Sequence, residues 1–285
     1  MFGRRSDGKK LKTIDPFYKI IPHIMNARHD SQNLFLYPAR CENIDKFIGE
    51  MREQGTSFKY MHVVIAAVVR LLALRPALNR FVMNGRIYKR NTISISFAVK
   101  KALSDDAIET TIKLDFTGKE SIYEIKEAVD KAIIANSGRT AVNDTDKTAK
   151  ALTNMPNWLI KLGVGFLKRL DKHGMLPKSL IKVSPFHTSC FVTNLKSIKT
   201  DYIYHHLYDF GTTGLFISMG KEQLEPVVDE NGDITVGKIM KMGIVTDERI
   251  CDGFYYASSF RKFKDIMENP YDLLEQLPEI EKDID

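Results

Sequence analysis

Few groups in this chain can move a proton or hold a metal, and their spacing is informative. Cys41, Cys190 and Cys251 form no CxxC pair and share no ligand spacing with histidine. That pattern argues against a zinc site and against a disulfide framework, so no metal is expected and a reducing, cytoplasmic setting is. His205 and His206 stand side by side in Tyr204-His205-His206-Leu207-Tyr208, and His187 lies in Pro185-Phe186-His187-Thr188. Imidazole, with an ordinary pKa of about 6.5, suits proton transfer at neutral pH. These three are therefore candidate bases, although their spacing matches no recognised triad. His62 sits inside an apolar run and reads as a satisfied core histidine.

The elements that must position these groups follow from periodicity. Residues 33–37 read as a short strand. Residues 42–54 have helical spacing through Ile44, Phe47, Ile48 and Met51, with Gly55 just beyond. Residues 59–74 are apolar nearly all round, which predicts a central buried helix stopped at Arg75-Pro76. Residues 86–90, 92–99 and 108–116 alternate as strands do, and 121–135 form an amphipathic helix. Strands are predicted again at 189–195 and 215–219. Residues 225–228 and 234–245 read as hairpin arms around Asn231-Gly232. A last helix spans 253–267. No glycine-rich loop follows a strand, which argues against Rossmann and P-loop folds. The expected class is α/β, a two-layer α+β sandwich with a mixed sheet and packed helices.

The net charge of +6 is unevenly placed. Between Lys147 and Lys182 there are eight Lys and Arg against Asp171 alone, a local +7, whereas residues 261–285 carry −4. A basic segment points to an anionic partner (a phosphorylated cofactor, a membrane surface or nucleic acid) or simply to a solvated helix face. Within it, residues 156–172 read as a helix. Asn157, Lys161, Lys168 and Lys172 fall on one face, and Trp158, Leu159, Leu162, Phe166 and Leu170 on the other. The apolar face is expected to pack on the core. A lid over a channel and contact with a membrane surface are the alternatives.

The segment Asp247-Glu248-Arg249-Ile250-Cys251-Asp252-Gly253-Phe254 resembles two signatures. One is the DHRxxDG of 2-oxo acid dehydrogenase acyltransferases; the other is the HHxxCDGF of chloramphenicol acetyltransferases. Three further stretches agree in order. Arg75-Pro76-Ala77-Leu78-Asn79 resembles the "hPxLN" after the family's long helix, Phe191-Val192-Thr193-Asn194-Leu195 its "FTISNL" strand, and the final helix with its "ENP" end the family's terminal helix.

This resemblance implies the chloramphenicol acetyltransferase-like fold and acyl transfer from coenzyme A, with acyl-CoA as co-substrate and a small-molecule acyl acceptor. It implies a homotrimer, because the family's site is built across a subunit interface, and it implies no nucleic-acid partner. Residue by residue, Thr193 matches the hydroxyl that donates to the oxyanion. Asp252 matches the structural aspartate that fixes the signature loop, with Gly253 after it, and Arg249 matches the motif arginine. Lys19 falls near the arginine expected to pair with Asp252. Glu248 takes the place of the catalytic histidine. A free glutamate, with a pKa of about 4.3, is a weaker base than imidazole unless burial raises it. Glu248 is therefore either an unusual base, a surface or ion-paired residue, or the mark of an inactive protein that binds CoA esters or a partner. His187, His205 and His206 are the alternative bases. The sequence holds no lipoyl domain, so a freestanding core without a lipoyl group is expected. Its expected organisation is a basic tail over 1–13, one acyltransferase-like domain over 14–277 with a helical insert at about 140–182, and an acidic tail over 278–285.

Overall fold

The computed structural model describes residues 5–100, 109–136, 155–229 and 231–285. In chain order the elements are β1 (Gly8–Lys10), α1 (Pro16–Ile24), β2 (Gln32–Arg40), α2 (Glu42–Glu53), α3 (Tyr60–Leu74), β3 (Arg80–Met83), β4 (Arg86–Arg90), β5 (Ile93–Lys100) and β6 (Glu109–Phe116). They continue with α4 (Ile122–Asn136), α5 (Asn157–Lys172), α6 (Lys178–Val183), β7 (Cys190–Asn194), β8 (Leu215–Val228), β9 (Ile234–Asp247) and α7 (Gly253–Glu268). Two sheets result: β1-β4-β3, and a six-stranded mixed sheet ordered β2-β9-β8-β7-β5-β6. In the larger sheet β7 runs parallel to both β5 and β8, and the other pairs are antiparallel.

The expected central helix is α3. Its β-branched residues Val63, Val64, Ile65, Val68 and Val69 would favour a strand if exposed, but each is almost wholly buried, so tertiary burial decides. Its ends are locally determined. The Lys59 amide donates to His62 Nδ1 at 3.1 Å, and Pro76 stops the helix. His62 is buried and reaches Asp130 of α4 through Nε2 at 3.1 Å, which ties the two helices together. One face of the large sheet packs on α2, α3, α4 and α7 through Cys190, Val192, Leu215, Ile217 and Met219. The opposite face carries a smaller cluster of Phe191, Leu207, Phe216 and Val245.

Both chain ends depart from the expected tails. Residues 1–4 and 140–154, the latter including Lys147 and Lys150, lie outside the described residues. Within 5–13, however, β1 pairs with β4, Leu11 is buried, and Arg5 is ion-paired to Asp7 and Asp171. At the other end Asp283 pairs with Arg80, Asp285 pairs with Lys89, and the Glu281 amide donates to Ala73 O at 2.9 Å. The N-terminal segment therefore contributes a strand to the small sheet, and the acidic C-terminal one docks on that sheet by complementary charge. They are part of the domain and not loose ends.

The helix α5 also differs from expectation. Its inward stripe is Ile160, Val164, Leu167 and Asp171, spaced i, i+4, i+7, i+11, and each is half-buried or buried. Of the stripe expected to pack, Trp158, Leu159, Leu162 and Phe166 are exposed and Leu170 is half-buried. Asp171, paired with Arg5 and His187, ties the helix to the body and turns the larger apolar stripe outward.

Candidate functional site

The 247–253 loop is built from buried charge. The Asp247 carboxylate, fully buried, accepts two N–H bonds from Arg249 at 2.7 Å, with the Arg28 guanidinium 3.4 Å away. Tyr256 of α7 donates its hydroxyl to Asp247 O at 2.6 Å. Asp252 caps α7 by accepting from the Tyr255 amide at 2.7 Å. It forms no ion pair with Lys19. Cys251 is buried, and burial pushes its thiol up to about 12, so it is inert at neutral pH. Glu248 is held by its amide bond to Ser31 O at 2.8 Å while its side chain projects into solvent. The carboxylate makes no hydrogen bond or ion pair among the described residues, because Arg249 is spent on Asp247. Gly253 is equally open: a Cβ there would meet nothing.

Thr193 lies elsewhere on the sheet. It pairs with Ser218 of β8, which pairs with Gly243 of β9. Glu248 is five residues beyond Gly243, so it stands about 17 Å along the sheet from Thr193 and about 10 Å across it. One protomer does not bring Glu248 and Thr193 together. Thr193 is half-buried, and its hydroxyl makes no hydrogen bond among the described residues.

Among the candidate bases, His205 lies on the Thr193 face of the sheet. Thr193 shares a sheet face with Phe191, whose ring stacks on Phe216 at 4.9 Å. The His205 ring lies flat on Phe216, 4.1 Å between centroids and 4° between planes. The Ile203 amide donates to Ser218 Oγ at 3.1 Å, which holds this loop onto the strand beside Thr193. His205 thus lies about two residue spacings, ~7 Å, along the sheet from the Thr193 position and at least one strand, about 5 Å, across it. Its Nδ1 is 2.9 Å from His206 O. A carbonyl only accepts, so neutral His205 carries its proton on Nδ1 and presents Nε2 as an acceptor. Burial lowers its pKa below the ordinary value, as does the charge of His206, against the raising effect of the carbonyl. His206 is exposed beside it, with ring centroids 4.8 Å apart.

His187 is placed quite differently. It is buried, its Nε2 3.1 Å from Asp171 Oδ2 and its Nδ1 2.8 Å from Ser184 Oγ. These are the members of a Ser-His-Asp set, but Arg5 also binds Asp171 at 2.8 Å and both ring nitrogens are engaged. The cluster fastens the C-terminal end of α5 to the body. Sequence reasoning missed Asp171 and Arg5; the one available signal was a lone acid among eight bases. Beside this cluster a cleft of about 550 Å³ opens between α1 and α5, walled by Arg28, Lys168, Lys172, Asp209 and Arg249.

The backbone resembles solved acyltransferase cores over about nine tenths of the chain. The cubic core of the pyruvate dehydrogenase multienzyme complex matches with a TM-score of 0.58 at 11% identity, over 90% of this chain and 88% of that one. A chloramphenicol acetyltransferase matches with a TM-score of 0.53 at 11% identity, over 91% and 99%. The chain has the chloramphenicol acetyltransferase-like fold. A probable dihydrolipoamide acetyltransferase from Listeria monocytogenes is similar too, with a TM-score of 0.56 at 15% identity over 91% and 94%. At such identities the likeness is one of fold. Residues 210–275 match the family described as 2-oxoacid dehydrogenases acyltransferase (catalytic domain). No curated protein matches the chain. In this chloramphenicol acetyltransferase-like chain, the family match covers β8, β9, the Glu248 loop and α7, and Thr193 lies before it.

Proposed function

We propose that this protein transfers an acyl group from coenzyme A to a small hydroxyl, thiol or amine acceptor, with Thr193 as oxyanion donor and His205 as base. The observation that carries the base assignment is the geometry of His205. It is half-buried on the Thr193 face of the sheet, with Nδ1 fixed and Nε2 bare. In the proposed step Nε2 takes the acceptor's proton as the acceptor attacks the thioester carbonyl carbon. The carbonyl oxygen becomes the oxyanion that the Thr193 hydroxyl stabilises, the C–S bond breaks, and the CoA thiolate takes the proton back from the imidazolium. Asp252 and Arg249 hold the signature loop. Glu248, solvent-exposed and unpaired, is positioned to face a neighbouring protomer in the homotrimer that the family resemblance implies. A ribbon face with Leu224, Val228, Ile234 and Val236 exposed supports such association.

Calorimetry with acetyl-CoA tests the donor site without a guess about the acceptor, and micromolar binding is expected. Acetyl-CoA consumption against thiol, hydroxyl and amine acceptors then compares wild type with His205→Gln, Thr193→Val and Glu248→Gln. Losing the base lowers turnover about 10²–10⁴-fold, with Glu248→Gln within a few-fold of wild type. The acid limb of the pH–rate profile is expected below pH 6.5, because burial lowers the His205 pKa. A folded assembly that binds no acetyl-CoA sinks acyl transfer. Full turnover by His205→Gln alongside loss in Glu248→Gln makes the glutamate the base. The second reading, a CoA-ester-binding protein without turnover, is favoured by the carboxylate at the signature histidine's position; binding with no turnover on any acceptor is its outcome.

A further inference from the structure

We propose that α5 is an anionic-membrane docking helix, an inference independent of the acyl-transfer reading. Its free face is doubly suited to a lipid surface. Trp158, Leu162 and Phe166 are 66%, 61% and 61% exposed, with Leu159 beside them. Lys161 and Arg169 are exposed alongside this stripe, and Lys168 and Lys172, also exposed, stand on its flank at the mouth of the cleft against α1. The helix contains one acid, Asp171, and it is buried and paired to Arg5 and His187. The outward surface of the helix therefore carries apolar and cationic groups and no anionic side chain.

The mounting of the helix fits the same use. The ion-paired Asp171 clamps its C-terminal turn to the body, and Ile160, Val164 and Leu167 lie half-buried on the same side. A Cβ at Gly163 or Gly165 would meet nothing, so space around the helix is open. Sixteen residues make a rod of about 24 Å, enough to lie along an interface. No helix of the described residues is long and apolar enough to cross a membrane, so insertion would stop at the headgroup level. Tryptophan is at home there, where its ring is apolar and its N–H is wet. Charge argues for this occupant over a second copy of the chain. The protein carries +6 overall, so an α5-to-α5 contact would juxtapose like charges, whereas anionic headgroups complement them. The ribbon face, by contrast, is bordered by both signs, Lys238 and Asp233 among them.

Trp158 is the chain's one tryptophan, so its fluorescence reports on this helix alone. The probe is full-length protein mixed with vesicles of pure phosphatidylcholine or of phosphatidylcholine with 30–40% phosphatidylglycerol, roughly the charge density of an anionic leaflet. Anionic vesicles are expected to blue-shift the emission and co-sediment the protein. Neutral vesicles should do neither, and added salt should weaken binding. Lys161→Glu with Lys168→Glu and Lys172→Glu should lower partitioning about a hundredfold or more, at roughly fivefold per charge removed. Leu162→Glu with Phe166→Glu should abolish the shift at unchanged mass in solution and unchanged thermal unfolding. No shift and no sedimentation with anionic vesicles overturns the proposal. Binding that survives the triple Glu variant overturns it too. A change in oligomeric mass in Leu162→Glu with Phe166→Glu, or its failure to fold, overturns it in favour of a protein–protein contact.

Discussion

Replacing Asp171 by Asn would test whether α5 is clamped as the geometry states. The side chain is 3% exposed, with an ion pair to Arg5 at 2.8 Å and a bond from His187 at 3.1 Å. Burial works against the Asp171 charge, but the His187 bond and the Arg5 charge outweigh it and hold its pKa below the usual carboxylate range. Removing one member of a buried pair costs about 3–5 kcal/mol. Here Asp7 still holds Arg5 through two N–H bonds at 2.9 Å, so the low end, about 3 kcal/mol, is expected. At roughly 2 °C per kcal/mol for a chain of this size, the melting temperature should fall by about 6 °C. The assay is thermal unfolding at pH 7.5, with Arg5→Met and the double variant completing a cycle. Residues in contact should be non-additive, the double variant losing well under the sum of the singles. A fall below about 2 °C, or strict additivity, would refute the clamp.

Two further predictions concern the 199–214 loop and the buried histidines. A Cβ at Gly243 would stand 2.2 Å from Ile203 O, so Gly243→Ala should lift the 199–214 loop off the sheet. Faster amide exchange in that loop, and a His205 pKa rising toward about 6.5 by NMR, would be the signs; an unchanged His205 resonance would refute the stacking on Phe216. The second concerns acid. Burial lowers the pKa of His62 and of His187, against the raising effect of Asp130 and Asp171. The unfolded chain then binds protons first as pH falls, so this stabilisation is whole above about pH 6.5 and is lost below it. The melting temperature should be level from pH 8 to 7 and decline from pH 6.5 to 5; a rise in that window would refute the assignment of neutral, buried imidazoles.

The parts of the fold legible in the sequence are those where burial leaves a period. The helix α3 is apolar all round, β5 alternates, and the Asn231-Gly232 turn announces the β8–β9 hairpin. Other features are set by partners far along the chain. The strand β8 reads as two pieces because a bulge between Met219 and Glu222 breaks the alternation. The helix α5 carries apolar residues at two angular positions, and the choice between them falls to Asp171, whose partner Arg5 is 166 residues away. The signature at 247–254 is readable as a motif, but its geometry is not. Asp247 takes Arg249, and that leaves Glu248 without a cation. The placement of His205 against Phe216 depends on an irregular loop whose path no periodicity encodes.

The β8–β9 ribbon has a consequence of its own. Beyond Leu224 and Lys238 it is two strands, with neither edge covered by a third among the described residues, and its apolar side chains Leu224, Val228, Ile234 and Val236 lie on one exposed face. An isolated two-stranded ribbon is marginal in water. Its amides should exchange with solvent through small local openings, long before the strands beneath them. A second subunit resting on that face would close those openings first. The isotope uptake of residues 224–236, followed as the protein is diluted, is therefore a direct gauge of how many copies are touching, whether or not any acyl group moves.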